Sequence, residues 1–272
     1  MAMVKSQETA IAAVSNALPQ IAKAATAIAQ RIGAGGRLYY AGAGTSIRIG
    51  VQDGSELPAT FGMPEEQIAY LIAGGKEAIF KSFADAEDDA EAGARAGKAC
   101  GSHDVLIAIA ASGATPFTVA VAKMAKRRGA LVIAVVNNEA SPLAAAADIE
   151  ILLRSGPEVI AGSTRMAAGT AQKAALNMLT TLTHIKLGAV YDGLMVNVKV
   201  GNRKLKKRAE DFVAQIASVS VELAAGALDQ AGGDVKTAVI LCAGAKSFSQ
   251  AKQLLADTDN NLRLALAQLV DR

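Results

Sequence analysis

Residues 37–56 read RLYYAGAGTSIRIGVQDGSE, and this stretch is the clearest indicator of the fold. A short apolar run leads into a GAG turn that ends at Gly44, and Thr45 and Ser46 then open an expected helix. At such a strand-to-helix junction, several backbone N–H groups lack partners within the helix and point outward with the positive end of the helix dipole. These three residues are therefore candidates for binding an anion.

The same turn also has a purely structural explanation. Gly-x-Gly turns recur between strands and helices, and Ser or Thr caps helices without any ligand. The dinucleotide fingerprint would need a third small residue where the helix meets the strand, but the register from Gly42 and Gly44 places Ile47 there. The stretch leaves phosphate binding open and disfavours a nicotinamide cofactor.

Length and composition favour a helix-rich α/β protein. The chain has 272 residues, of which 51% are apolar but only 4% aromatic, and small side chains allow helices to pack closely. This length allows one large α/β domain, or such a domain with a small appendage. The net charge of +3 is too small to indicate nucleic acid or a membrane surface as a partner.

Four residues bear on metal binding and on the cellular compartment. The cysteines Cys100 and Cys242 and the histidines His103 and His184 share no metal-ligand spacing, so no metal site is expected. Two lone cysteines suit a reducing compartment. No apolar run reaches membrane-spanning length and no N-terminal signal pattern is present, so a cytoplasmic protein is expected.

Four further apolar runs indicate strands at 68–73, 104–111, 130–136 and 149–153. Together with the opening run they alternate with helices at short spacing. This alternation predicts βαβ crossovers and a parallel sheet, whose ligands bind at the carboxyl ends of the strands.

The run at 104–111 leads into a second hydroxyl-bearing turn, SGATP at 112–116. Ser112, Gly113 and Thr115 repeat there the pattern of the first turn. Because both turns follow strands of one parallel sheet, they are expected at the same edge, which favours a phosphate ligand.

Several longer segments carry expectations about helices. Residues 6–34 have helical periodicity, and Pro19 is expected to kink or divide them. Residues 76–99 look like a polar helix whose acidic residues form a solvated face, and the basic run at 202–208 is expected to be another such face.

A change in composition places a domain boundary near residue 201, with expected domains at 1–200 and 201–272. Within the second domain, the segment 237–243 is ambiguous between strand and helix by periodicity. Within the first, Ser163 or Thr164 is expected to cap a long apolar helix.

Six phrases of the sequence resemble one known family. They are GAGTS at 42–46, DGSELPATFG at 53–62, LIAGG at 71–75, DAEDDAEAG at 85–93, IAASGATP at 109–116 and GPEVIAGSTRMAAGTAQKAALNML at 156–179. In this order and spacing they resemble the N-acetylmuramic acid 6-phosphate etherases of the sugar isomerase (SIS) domain superfamily, over nearly the whole chain. The resemblance implies an α/β fold: a three-layer SIS domain with a parallel sheet and helices on both faces, followed by a small all-helical C-terminal domain. It also favours helix for 237–243.

The resemblance further implies a cytoplasmic lyase of peptidoglycan recycling, which cleaves the D-lactyl ether of N-acetylmuramate 6-phosphate to N-acetylglucosamine 6-phosphate and D-lactate. The family uses no metal or organic cofactor and works as a homodimer with its sites near the subunit interface. Its two acid–base glutamates correspond to Glu56 and Glu87 in this sequence. Elimination beside a carbonyl needs a base at C2 and an acid at the leaving oxygen. We expect Glu87 to be the base and Glu56 the acid.

By resemblance, the sugar phosphate is expected on both hydroxyl-bearing turns with Ser163 nearby, and Glu158 and Lys173 match family positions near the site. Two positions depart from the family pattern, because Ile47 stands where the family has glycine and Ala114 where it has arginine. Glycine allows close approach and arginine pairs with anions, so both departures bear on which substrate is bound.

Two other functions remain open at this point. Another sugar-phosphate enzyme of the superfamily, such as an aldose–ketose isomerase, would need a base at C2 but no acid for a leaving group. A non-catalytic sugar-phosphate regulator, like the related glucokinase regulatory proteins, could keep both turns and dispense with both glutamates. The presence of Glu56 and Glu87 favours an enzyme.

Overall fold

The computed structural model describes residues 1–81 and 83–270. Ser82, in the segment expected to be one polar helix, and residues 271 and 272, at the end of the expected second domain, lie outside the described residues. The chain divides into two compact units. The first unit holds residues 1–55 and 65–183, and the second holds residues 56–64 and the chain from His184 onward. The domain boundary near residue 201 stays a prediction.

A five-stranded parallel sheet forms the centre of the first unit, which confirms the predicted α/β class. Its strands are β1 (Leu38–Gly42), β2 (Ile68–Ile72), β3 (Val105–Ala110), β4 (Leu131–Val136) and β5 (Ile149–Leu152). The order across the sheet is β2-β1-β3-β4-β5, so β1 lies between β2 and β3. All residues of β1 and β3 are buried, as the continuous apolar runs predict for strands covered on both faces.

Seven helices begin in the first unit. They are α1 (Ala2–Asn16), α2 (Leu18–Gly33), α3 (Gly44–Phe61), α4 (Ala90–Gly97), α5 (Pro116–Arg127), α6 (Pro142–Ala146) and α7 (Ala167–Lys186). The predicted division of the first helical segment is confirmed, because α2 begins with Pro19 in its first turn, where a missing backbone N–H costs nothing. Helix α3 continues past Pro58 and ends at Phe61.

Helices cover both faces of this sheet. One face packs alanines and other small residues of β1, β3 and β4 against Phe117, Val121 and Leu143 of α5 and α6. On the other face, α3 approaches closely through Gly50, since a Cβ there would lie 2.9 Å from Ile109 Cδ1. The small residues that dominate the composition therefore set the distance between layers.

The expectation of one polar helix over 76–99 is wrong. The segment forms two short 3-10 turns, Lys76–Ile79 and Ala84–Glu87, before α4 begins. The α-helical part begins only at Ala90, where the Asp89 side chain caps α4 by accepting a hydrogen bond from the Ala92 N–H.

A buried carboxylate joins the sheet to two helices of the first unit. Asp53 of α3 is 3% exposed and accepts hydrogen bonds from the Tyr40 hydroxyl of β1 and, on α7, from Asn177 and Thr180. Burial, with Asp53 beside it, raises the pKa of Tyr40 well above its ordinary value, so this phenol stays a donor. Burial also raises the pKa of the neighbouring Tyr70 to about 12.

The second unit is mainly helical. It contains α8 (Arg203–Ala217), α9 (Val221–Gln230), α10 (Val235–Cys242), α11 (Phe248–Ala256) and α12 (Leu262–Val270), preceded by a short antiparallel hairpin of β6 (Val190–Tyr191) and β7 (Leu194–Met195). Helix α10 confirms the helical reading of the ambiguous segment 237–243. Within the described residues no single helix is long and apolar enough to span a membrane; α8 and α9 pass that test only as a pair, with a bend of 111°.

The last two helix pairs repeat one unit of structure at an offset of 27 residues. Ser220 caps α9 and Ser247 caps α11. Each first helix is followed by two residues with positive φ, which are Gly232 and Gly233 in the first repeat and Asp259 and Asn260 in the second. Asp234 then caps α10, and Asn261 caps α12 in the same way. The buried positions also match: Ala224 with Ala251, Leu228 with Leu255, Val235 with Leu262 and Ala238 with Ala265.

Two glycine substitutions test this packing. In Gly93→Ala, the new Cβ of α4 would lie 2.3 Å from the Phe117 carbonyl oxygen, so we expect the first unit to lose roughly 1–3 kcal/mol of unfolding free energy. In Gly226→Ala, the Cβ on α9 meets nothing within 4 Å, and we expect a gain of about 0.5–1 kcal/mol. Denaturant unfolding followed by circular dichroism measures both; equal effects would contradict the packing described here.

Candidate active site

The two hydroxyl-bearing turns lie side by side in the first unit. Strand β1 pairs in parallel with β3, with Gly42 opposite Ile109, so the chain leaves both strands at the same edge of the sheet. Because β1 lies between β2 and β3, the chain leaves β1 toward one edge of the sheet, to form β2, and leaves β3 toward the other edge, to form β4. A sheet opens a ligand-binding crevice at such a switch point.

The first turn brings a carboxylate onto the start of α3. Gly44 has φ of +52°, and a Cβ at this position would lie 3.1 Å from Glu87 Oε1. The backbone therefore needs glycine for its conformation and for the approach of Glu87. The positive end of the helix dipole favours a negative charge at this place. Thr45 is half-buried here, whereas Ser46 is only 8% exposed.

This contact separates Glu87 from the rest of the acidic run. Asp89 is used as the cap of α4, and Glu91 pairs with Arg95 one turn later on that helix. Glu87 ends the 3-10 turn before α4 and is exposed. The acidic residues of the run are all exposed, as expected for a solvated face, but Asp89 and Glu91 have side-chain partners and Glu87 lies against Gly44.

The second turn packs against Ser141, the N-cap residue of α6. Gly113 has φ of +64°, and a Cβ there would lie 2.2 Å from Ser141 Oγ, so only glycine fits. Ser112 is exposed, and its Oγ accepts a hydrogen bond from the Ala114 N–H. Thr115 precedes α5 and makes no capping hydrogen bond with its side chain. Its half-buried hydroxyl is thus available to a ligand in the crevice.

Arg48 was not singled out from the sequence, yet it fixes the segment that leads to Glu87. From the second turn of α3, its guanidinium donates hydrogen bonds to the carbonyl oxygens of Ala78, Ile79 and Lys81. Three bonds from one planar group hold a segment that has little helical structure of its own. The arginine in the phrase SIRIG is the signal that could have identified it.

Amides at the ends of β4 and in α7 form a second group that sequence reasoning missed. Asn137 donates to the carbonyl oxygen of Leu153 and to Ser155 Oγ, and accepts from Gln172 Nε2 of α7. Asn138 donates to the Ala111 carbonyl oxygen, just before the second turn. These bonds tie the carboxyl ends of β3, β4 and β5 together.

Three predicted residues lie in or before α7. Both carboxylate oxygens of Glu158 accept hydrogen bonds from the N-terminal amides of α7, at Ala167 and Ala168. Glu158 therefore caps this helix, a role expected for Ser163 or Thr164. Ser163 is half-buried and Lys173 is exposed, and the contacts of these residues with substrate stay predictions.

Glu56, the other predicted glutamate, is exposed on α3. It lies twelve residues after Gly44, which corresponds to about 18 Å along the helix axis at a rise of about 1.5 Å per residue. The helix therefore carries the Gly44 turn and Glu56 toward its opposite ends. Among the described residues, no cluster of three or more His, Cys, Asp or Glu side chains is arranged to hold a metal ion.

Comparison with known proteins supports this description of the fold. The family model of the SIS domain matches residues 79–182, and that of the glucokinase regulatory protein N-terminal SIS domain matches residues 20–126. A solved structure of a putative phosphosugar isomerase involved in capsule formation, from Bacteroides fragilis, superposes with a TM-score of 0.52 at 20% identity. The match covers 70% of this chain and 94% of that one. This similarity concerns the fold alone.

Curated relatives resemble the chain over most of its length. The N-acetylmuramic acid 6-phosphate etherase of Symbiobacterium thermophilum is 50% identical over 240 residues, covering 88% of this chain and 80% of the relative. That of Deinococcus radiodurans is 43% identical over 269 residues, covering 98% and 88%. Identity at this level extends across both units, and the chain therefore belongs to the N-acetylmuramic acid 6-phosphate etherase family.

Proposed function

We infer that this chain is a lyase that cleaves the D-lactyl ether of N-acetylmuramate 6-phosphate. The products are N-acetylglucosamine 6-phosphate and D-lactate. The observation that carries this function is the identity of 43–50% with etherases along nearly the whole chain. A crevice at the switch point between two hydroxyl-bearing turns is consistent with a phosphorylated sugar as substrate.

The chemistry of the substrate defines what the site must do. Ring opening makes C1 an aldehyde, so the proton on C2 becomes acidic and the lactyl ether on C3 becomes a β leaving group. A base removes the C2 proton, the C3–O bond breaks, and an acid protonates the departing lactate oxygen. Water then adds at C3 of the unsaturated aldehyde to give the second product. Two carboxyl groups in opposite protonation states suffice for these steps.

We propose Glu87 as the base at C2. Its carboxylate lies against Gly44, at the first turn and therefore beside the crevice where the sugar would bind. Two other members of the acidic run have side-chain partners, since Asp89 caps α4 and Glu91 pairs with Arg95, whereas Glu87 is the member that lies against the first turn. Arg48 supports it indirectly by holding the preceding segment.

The phosphate is proposed to sit between the two turns. Backbone amides at the starts of α3 and α5 offer donors with the positive ends of two helix dipoles, and Thr45, Ser112 and Thr115 offer hydroxyls. Ser46 contributes through its backbone, because its side chain is almost fully buried. Lys173 and Ser163 are proposed to contact the rest of the substrate.

One departure from the family pattern does not narrow the crevice. Ile47 is fully buried, and its Cβ packs beneath Gly42, 3.3 Å from where a Cβ of that glycine would lie. Its bulk therefore enters the core of the first unit. Ala114, in contrast, is exposed on the second turn, so the missing arginine removes a cation from the crevice side.

We propose that the enzyme works as a cytoplasmic homodimer in which Glu56 acts on the substrate bound by the partner. Glu56 lies about 18 Å along α3 from the turn that Glu87 faces, too far for a side chain to span within that helix. A symmetric dimer would bring each α3 toward the other copy's crevice, and each site would then hold one glutamate from each chain.

The base assignment is tested by Glu87→Gln. We expect release of D-lactate from N-acetylmuramate 6-phosphate to fall by about 10²–10⁴-fold, because the amide cannot accept the C2 proton. Exchange of that proton with solvent deuterium, followed by NMR, should fall in parallel. Glu91→Gln is the matched control, since Glu91 belongs to the same run but pairs with Arg95. Normal exchange in Glu87→Gln would disprove the role.

The shared site is tested by mixing two inactive variants. Glu56→Gln and Glu87→Gln should each lose lactate release as homodimers. After random exchange of subunits, half of the dimers are mixed and each mixed dimer has one intact site, so about a quarter of wild-type activity should return. If the mixture stays inactive although exchange is complete, both glutamates act from one chain.

The phosphate site is tested by Ser112→Ala and Thr115→Val. Removing a hydroxyl that donates to a phosphate oxygen should raise KM by roughly 10-fold, with a smaller change in kcat. Ser249→Ala, at an exposed position of α11, is the control. Unchanged KM in both variants would place the phosphate elsewhere. If wild-type protein binds hexosamine 6-phosphates but releases no lactate, the regulator reading replaces the enzyme.

A further inference from the structure

A groove of about 410 Å³ lies beside the first of the two helical repeats. It is called the first-repeat groove here, and its lining includes Lys199, Asp234, Lys236, Lys252 and Asn260. Its volume lies within the roughly 300–1,000 Å³ of small-molecule sites. All of its lining belongs to the second unit, whereas both hydroxyl-bearing turns belong to the first. The proposed etherase reaction makes no use of it.

The charge of the lining favours an anion. Three lysines and one aspartate line the groove, for a net charge of +2. The aspartate is already engaged, because Asp234 pairs with Lys252 at 2.6 Å and caps α10. The charges of Lys199 and Lys236 are therefore not neutralised by the carboxylate of the lining.

Lys236 is the central cation of the groove. Its side chain is almost fully buried, with the residue only 1% exposed, and within the described part of the chain its Nζ donates one hydrogen bond, to the Asn260 carbonyl oxygen at 2.7 Å. An ammonium has three donors, and a buried cation held by a single carbonyl is poorly compensated. Burial accordingly lowers the pKa of Lys236 to about 8, with Asp234 nearby acting in the opposite direction.

In the second repeat, the cation that matches Lys236 has a carboxylate as its partner. At the offset of 27 residues, Lys236 corresponds to Arg263, which also follows the N-cap of its helix by two residues. Arg263 forms an ion pair with the carboxylate of Asp192 and lies over the Tyr191 ring, 4.7 Å from its centroid. The chain itself thus supplies a carboxylate at the second repeat. At the first repeat, the stretch 196–200 lines the groove beside Lys236 and contains no acidic residue.

We propose that the first-repeat groove binds a small organic carboxylate, with Lys236 and Lys199 as its cationic contacts. The ligand carboxylate takes at Lys236 the place that Asp192 takes at Arg263. We favour a free metabolite over a protein side chain as the ligand, because the groove has the volume of a small-molecule site. The second unit would then carry a ligand site of its own.

Isothermal titration calorimetry of the full-length protein with citrate and with acetate tests this proposal. Because burial lowers the pKa of Lys236 to about 8, we expect it to be mostly neutral at pH 8.5 in the free protein, and a bound carboxylate favours its charged form. Asp234, Lys252 and Lys199 are the other charged groups that line the groove. Titration in two buffers of different ionisation enthalpy should therefore show uptake of a large fraction of a proton on binding.

Four variants separate a binding role from a structural one. Lys236→Met should weaken citrate binding at least 10-fold and abolish proton uptake. Lys236→Arg keeps a permanent cation and should bind without proton uptake. Lys199→Met, at an exposed position that does not threaten folding, should weaken binding several-fold, and Lys246→Met, also exposed, should change nothing.

Three results would overturn the proposal. The first is the absence of saturable binding at millimolar citrate or acetate in the wild-type protein. The second is equal affinity and equal proton uptake in the wild type, Lys199→Met and Lys236→Met. The third is tighter binding of inorganic phosphate than of either carboxylate with the same dependence on Lys236, which would assign the groove to a different class of anion.

Discussion

The hydrogen bonding of β1 to β3 is the constraint on which the candidate active site depends. The chain passes from β1 to β2 on one side and then returns across β1 to place β3 on the other. Two turns that are about 70 residues apart in sequence thereby leave adjacent strands at one edge. A crevice opens there because the connections diverge. The segment that crosses over, between β2 and β3, carries Glu87, so the same topology delivers the two hydroxyl-bearing turns, proposed to bind the phosphate, and the proposed base.

Buried polar groups then fix the elements around this crevice. Asp53 sits among Tyr40, Asn177 and Thr180, and such a carboxylate is tolerated in the interior because donors surround it. It holds α3 to both β1 and α7. Arg48 holds the segment before Glu87 in a similar way, through three backbone carbonyls. Neither residue is proposed to touch the substrate, but both determine where the proposed catalytic groups lie.

The second unit is built differently from the first, because it consists largely of helices and contains a repeated helix pair instead of a parallel sheet. The repeats keep their caps, their two positive-φ residues and their buried alanines and leucines, which are the features that make the pair fold. They differ at one matched position. Arg263 of the second repeat pairs with the carboxylate of Asp192, whereas Lys236 of the first repeat lines the groove. A change at this position can alter what a repeat binds while the buried alanines and leucines that both repeats share stay the same.

The sequence by itself determined the class of fold and the family. Five runs alternating with helices predicted the parallel sheet, and the run of β3 is apolar throughout, as a strand buried on both faces requires. Six phrases in order predicted the etherase family. Only the tertiary structure placed Glu87 against Gly44, buried Ile47 away from the crevice, and gave Asp53 and Glu158 structural partners. The reason is physical. Local patterns record which residues are buried and which backbone conformations are allowed, whereas the partner of a polar side chain depends on which elements the crossovers bring together.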